Sequence, residues 1–132
     1  MSKKTILCVD DDSDDLAMLR DAIHEIGFTY NMVEASDGLN ALEVLQELNE
    51  IGQLPCLIVL DINMPRMDGK QTLVALQQNP AYANIPVVIF STSSSTIDKT
   101  FCAAKKVEMI TKPFDYATLF TVASRLLSYC NN

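Results

Sequence analysis

Three short apolar runs, each stopped by a polar residue and each followed by a longer amphipathic stretch, restrict the folds open to this chain more than any other feature. Ile6-Leu7-Cys8-Val9 stops at Asp10, Cys56 to Leu60 stops at Asp61, and Pro86 to Phe90 stops at Ser91. The middle run has no polar–apolar alternation, which marks a strand buried on both faces, as in the interior of a parallel sheet. Leu16, Leu19, Ala22, Ile23 and Ile26 follow the first run at helical spacing. Gly27 closes that helix, and Ser13 or Asp14 is its candidate cap.

The same rhythm continues along the chain. Thr29 to Ala35 reads as a second strand, and a helix opened by Ser36-Asp37-Gly38 carries Leu39, Leu42, Leu45 and Leu48 before Asn49 to Pro55 ends it. Asn63 to Gly69 is a loop, and a third helix runs to about Asn79. A fourth helix starts near Thr96 with Ile97, Phe101 and Ala104. Val107 to Thr111 is the last strand, and Asp115 to Leu127 forms a final helix with Leu119, Val122, Ala123 and Leu126 inward. Five β-α units are expected to make one domain over residues 1–132, and no linker, repeat or output domain is expected. Such alternation implies an α/β three-layer sandwich, a parallel five-stranded sheet covered by helices on both faces. Right-handed crossovers leave few topologies, of which the flavodoxin-like order 2-1-3-4-5 is common.

Bulk properties exclude several function classes. The net charge is −7, from 17 acidic and 10 basic residues, which argues against nucleic acid as a direct partner because a phosphate backbone needs a basic footprint. It suits a cation site or a basic protein partner. No apolar run reaches the roughly 18 residues of a membrane span, and acids follow the first apolar run at once, unlike a signal peptide. A cytoplasmic location is expected. Cysteines stand at 8, 56, 102 and 130 without C-x-x-C spacing, and the lone His24 is not near them in sequence, so no zinc site is expected. Cys8 and Cys56 read as buried thiols in a reducing compartment.

In parallel α/β sheets, ligands bind beyond the carboxyl ends of the strands, near the point where the strand order reverses. Those ends carry Asp10-Asp11-Asp12, Asp61, Ser91-Thr92 and Lys112. Order 2-1-3-4-5 makes them neighbours. Clustered carboxylates repel, by about 4 kcal/mol per pair at about 4 Å and an effective dielectric of about 20. A hard divalent cation such as Mg²⁺ offsets this with carboxylate, water and phosphate oxygens around it. Lys112 adds a point charge for Asp61 or an incoming phosphoryl group, and the Ser91 hydroxyl can donate to a phosphoryl oxygen. The set suits phosphoryl transfer to a carboxylate nucleophile. The ordinary reading of Asp14 and Asp15 is that they compensate a helix dipole. Ser91 to Ser95 also suits a capping loop, and Lys112-Pro113 a solvated turn. Asp61 is harder to assign to such a role, because a carboxylate directly after five apolar residues is costly without a partner.

Four segments carry a family resemblance: Ile6 to Asp12, Val59-Leu-Asp-Ile-Asn-Met-Pro-Arg-Met-Asp-Gly69, Pro86 to Thr92 and Ile110-Thr-Lys-Pro-Phe114. Over essentially its whole length the chain resembles a response-regulator receiver domain of the stand-alone type. The resemblance implies that Asp61 is the phosphoacceptor, and that Asp10 and Asp11 hold Mg²⁺ with Asp61 and the backbone carbonyl of Asn63. It puts Ser91 in the switch-hydroxyl position beside Thr92, has Lys112 contact the phosphoryl group, and makes the Lys112-Pro113 peptide cis. Asp12 falls at a variable position. Asn63 and Ser93 lie where the family tunes hydrolysis.

One departure is Met109, where the family usually has Tyr or Phe. Output is therefore expected through Ser91 and backbone shifts around the fourth helix rather than through an aromatic switch. The implied partners are a sensor histidine kinase or histidine phosphotransfer protein and a downstream protein. Oligomeric state is left open: Phe101, Phe120 and Tyr129 suit a homodimer contact face, and equally a core or ordinary surface role. Phe90 to Ser95 resembles receivers paired with phytochrome-type kinases. The only chemistry implied is self-catalysed phosphorylation and dephosphorylation of Asp61, not that of an enzyme. The alternatives are a degenerate receiver that binds a partner without phosphate, a flavodoxin-like protein, and an aspartate-dependent phosphatase. The acids after the first strand would repel a flavin phosphate, and haloacid-type phosphatases carry their nucleophile there rather than after the third strand.

Overall fold

Each of the five helices among the described residues begins where a short polar side chain satisfies backbone amides that the helix itself leaves unbonded. The caps are Asp12, Asp37, Asp68, Ser95 and Asp115. The computed structural model describes residues 3–27 and 29–131; Met1, Ser2 and Asn132, part of the terminal segments read above, lie outside them. The elements run β1 (Lys4–Val9), α1 (Ser13–Ile26), β2 (Tyr30–Ala35), α2 (Gly38–Glu50), β3 (Leu57–Leu60), α3 (Gly69–Gln78), β4 (Val87–Ser91), α4 (Thr96–Ala104), β5 (Glu108–Thr111) and α5 (Tyr116–Ser128). All strand pairs are parallel and the order is β2-β1-β3-β4-β5, so the expected flavodoxin-like sandwich is observed.

The sheet divides the core in two, because successive strand side chains point to opposite faces. Ile6, Cys8, Leu57, Val59, Val88 and Phe90 pack with α1 and α5. Leu7, Val9, Ile58, Leu60, Val87 and Ile89 pack with α2, α3 and Cys102 of α4. β1, β3 and β4 therefore show the unbroken apolar runs of strands covered on both sides. No helix among the described residues is long and apolar enough to cross a membrane.

Two helices depart from the sequence pattern. Leu39 is 42% exposed and Ile97 74% exposed, although each falls at helical spacing with the other apolar residues of its helix. The only buried residue of α4 is Cys102. Ile97, Phe101 and Ala104 form a stripe centred roughly 130° away from it, and the half-buried Phe101 ring lies under the ammonium groups of Lys70 and Lys105, at 5.4 and 5.8 Å from its centroid. α2 and α4 end in the same motif. Gln53 donates to the Leu48 carbonyl behind Gly52 (φ +70°), and Val107 donates to the Cys102 carbonyl behind Lys106 (φ +61°). A left-handed residue is needed at that position, and the second case does without glycine.

The cysteine reading is corrected in part. Cys8 and Cys102 are free and buried, and burial pushes the Cys8 thiol well above its usual range. Cys56 is not a thiol but is bonded to Cys130, with S–S 2.02 Å and a separation of 74 positions in sequence. The Cα atoms of the pair are 5.2 Å apart because α5 runs back along the sheet to the start of β3. That return is a consequence of topology, which spacing along the chain does not report. The bridge also removes the thiol argument for a reducing compartment.

Gly69 fixes the approach of α3 to the end of β3. A Cβ added there would lie 2.1 Å from the Asp61 carbonyl oxygen and 2.7 Å from the Ile62 Cα, both backbone atoms. Gly69→Ala is expected to lose about 2 kcal/mol through overpacking, seen as a lower urea midpoint at constant m. An unchanged midpoint would contradict this close approach.

Candidate functional site

The site lies at the carboxyl end of the sheet, where β1, β3, β4 and β5 deliver their last side chains. Asp10 follows β1, and its amide donates to the Ala35 carbonyl at 3.0 Å, extending the ladder by one bond. The Asp61 amide likewise donates to the Val9 carbonyl at 3.0 Å. Both carboxylates are therefore set by the sheet rather than by a mobile loop. Asp10 Oδ1 accepts from the Asp12 amide at 2.9 Å and Asp61 Oδ1 from the Ile62 amide at 2.7 Å. Ser91 ends β4 fully buried. Its hydroxyl accepts from the Ser93 amide at 3.3 Å, and its carbonyl accepts from the Lys112 amide at 2.9 Å.

Lys112 is the hub. Its buried Nζ donates to Asp10 Oδ2 at 2.6 Å, Asp15 Oδ2 at 2.8 Å and Asp61 Oδ2 at 3.1 Å. Burial alone would lower the ammonium. The bonds to Asp10 and Asp15 and the Asp61 charge outweigh it, and Lys112 stays protonated well above its ordinary range. Burial pushes the Asp10 carboxyl up to about 6, against the opposing pull of Lys112. One cation does not neutralise this corner. Carboxylate oxygens of Asp10, Asp11 and Asp61 lie within 4.8 Å of one another. An all-oxygen donor set with surplus negative charge fits a hard divalent cation rather than a thiophilic one.

The structure brings Asp10, Asp11, Asp61, Ser91 and Lys112 together at one sheet edge. Asn63 is exposed in the loop two residues after Asp61, and Thr92 is exposed beside Ser91. Ser93 donates to Asp98, which pairs with Lys70 of α3. Met109 is half-buried and packs into the core on the α4 side of the sheet. The Lys112-Pro113 peptide is trans, since the described residues contain no cis bond; trans is the lower-energy isomer before proline unless packing opposes it.

Three contacts were not foreseen. Asp12, not Ser13 or Asp14, caps α1, accepting from Asp14 and Asp15 at 3.0 and 3.2 Å. Asp15 then turns to Lys112 instead of merely facing the helix dipole. Arg66, at φ +63°, grips the buried Asp37 carboxylate through Nε at 2.7 Å and Nη2 at 3.0 Å, tying the β3–α3 loop to the start of α2. The guanidinium holds the Asp37 carboxyl below the usual range.

The model of the response regulator receiver domain matches residues 6–124. The chain belongs to that family. Among curated relatives, the response regulator Rcp1 of Synechocystis sp. is 34% identical over 97 residues, which is 72% of this chain and 66% of Rcp1. The sensor histidine kinase CheAY of Helicobacter pylori is 31% identical over 91% of this chain, which spans only 14% of that kinase. Among solved structures, the phosphorylated cyanobacterial phytochrome response regulator RcpA superposes with TM-score 0.87 at 27% identity, covering 97% of this chain and 94% of RcpA. The Mn²⁺-bound form of Rcp1 gives 0.84 at 30% identity, covering 96% and 94%. The chain is a receiver domain of two-component signalling.

Proposed function

We propose that Asp61 accepts a phosphoryl group from a histidine kinase or histidine phosphotransfer protein in a Mg²⁺-dependent step. The observation that carries this reading is the pairing of Asp61 Oδ2 with Lys112 Nζ at 3.1 Å, inside the carboxylate group formed with Asp10 and Asp11. An Asp61 oxygen attacks phosphorus, the new O–P bond forms as the P–N bond of phosphohistidine breaks, and the bonding pair leaves with the imidazole nitrogen. Asp10, Asp11, Asp61 and the Asn63 carbonyl would hold the divalent cation, which would supply the charge that lets two anions meet. Lys112 then donates to one phosphoryl oxygen and the Ser91 hydroxyl to another. Self-phosphorylation and hydrolysis at Asp61 are the chemistry of a switch, not of an enzyme with a separate substrate.

Drawing the buried Ser91 toward the phosphoryl group shifts β4 and the start of α4, which alters partner binding. Met109 fills its place without an aromatic flip. The cytoplasm fits a kinase-coupled switch. The Mn²⁺-bound state of Rcp1 and the phosphorylated state of RcpA support a metal and a phosphoryl group here. RcpA also favours a phytochrome-type kinase as donor.

The test is intact-mass spectrometry after incubation with acetyl phosphate and Mg²⁺. A gain of one phosphoryl group is expected, absent with EDTA and in Asp61→Asn. No adduct with any donor would favour the phosphate-independent interaction module.

A further inference from the structure

Lys112 has one carboxylate more than the proposed reaction uses. An ammonium group offers three hydrogens, and here three carboxylates take them. Asp10 and Asp15 hold Nζ at 2.6 and 2.8 Å, while Asp61, the proposed nucleophile, has the longest bond at 3.1 Å. Asp15 is not a stray surface acid. Its amide is fixed by the Asp12 cap in the first turn of α1, and its side chain is 34% exposed at the rim of the site. Asp14, one residue earlier, bears the same charge but is exposed.

We propose that Asp15 is a positioning residue for Lys112. In the resting state it draws the ammonium toward α1, leaving Asp61 less tightly paired and so a better nucleophile. Once Asp61 carries a phosphoryl group, Lys112 must move one hydrogen to a phosphoryl oxygen, and Asp15 competes for that hydrogen. This rests on the reading of Asp61 as phosphoacceptor. Asp10 cannot play the same part, because it is buried and belongs to the cation-holding acids, whereas Asp15 touches only the lysine among these groups.

The test is a titration of the full chain with beryllofluoride, a phosphoryl mimic, in saturating Mg²⁺, followed by ¹⁹F NMR. Asp15→Asn is expected to bind on the order of fivefold tighter, the scale of one part-exposed ion pair. Asp14→Asn removes equal charge without the Lys112 contact and is expected to shift affinity by less than about twofold. Asp15→Glu, which keeps the competing carboxylate, is expected to return to wild-type affinity. A role confined to the fold of α1 would lower stability and leave affinity unchanged or weaker. If the wild type binds and Asp15→Asn binds no more tightly, or if Asp14→Asn matches it, the positioning role is wrong and the phosphoacceptor reading stands. If the wild type does not bind at all, the phosphoacceptor reading fails and this inference with it.

Discussion

Reducing the Cys56–Cys130 bridge is expected to cost about 4 kcal/mol of folding stability, from the chain entropy that a loop of this length withholds from the unfolded state. The 74-residue separation spans β3 through α5, more than half of the fold. A domain of this size has ~5–15 kcal/mol in total, so the loss is a large fraction of its stability. The chain end is held by other bonds too. Lys4 donates to the Cys130 carbonyl, and the Tyr30 hydroxyl donates to Asn131 at 2.8 Å. The reduced protein should therefore stay folded in dilute buffer. Urea melts with and without dithiothreitol test the figure, and a Cys56→Ser/Cys130→Ser variant should lose the sensitivity to reductant. Equal midpoints for oxidised and reduced wild type would contradict it. The bridge joins the amino end of β3 to the end of α5, whereas Asp61 follows the carboxyl end of β3. Phosphoryl uptake well below the melting transition is accordingly expected to survive reduction.

Lys112→Ala is expected to destabilise the metal-free protein by about 3 kcal/mol, the range found when one partner of a buried pair is removed and the other is left. Lys112 is 9% exposed and is bonded to three carboxylates. Without it, Asp10 and Asp61 face each other in a corner where burial already pushes Asp10 up to about 6. Part of the cost is returned as Asp10 takes up a proton and as Asp15, at the rim, turns to water. The distinguishing result is the response to Mg²⁺. The variant should gain more thermal stability from millimolar Mg²⁺ than the wild type does, because the cation then replaces the lost charge as well as binding. A variant as stable as wild type in EDTA, or one less responsive to Mg²⁺, would contradict the charge balance described here.

The fold was legible because three of its strands are short, unalternating apolar runs, each stopped by a polar residue, and because helical spacing filled the intervals. Asp10, Asp61, Ser91 and Lys112 were legible for a related reason. Each ends a strand, and strand order alone makes strand ends neighbours. What escaped the sequence depends on rotation and return of the chain. The Ile97–Phe101–Ala104 stripe has the spacing of an inner face but is largely exposed, because Cys102 alone of α4 is fully buried and Phe101 packs on the core only in part. Asp15 resembles any first-turn acid until the Asp12 cap fixes its direction. Cys56 and Cys130 look unrelated until α5 is seen to run back beside β3. The partnership of Arg66 with Asp37 spans two loops, and no spacing rule reaches that far.

The proposed function requires that one carboxylate, Asp61, takes the phosphoryl group. Tandem mass spectrometry of proteolytic peptides, after phosphorylation with Mg²⁺ and a small donor, tests it most directly. The group should sit on Asp61 in the peptide that contains Ile62 and Asn63, and nowhere else. Finding it on Asp10, Asp11 or Ser91, or finding an unchanged adduct in Asp61→Asn, would contradict the account.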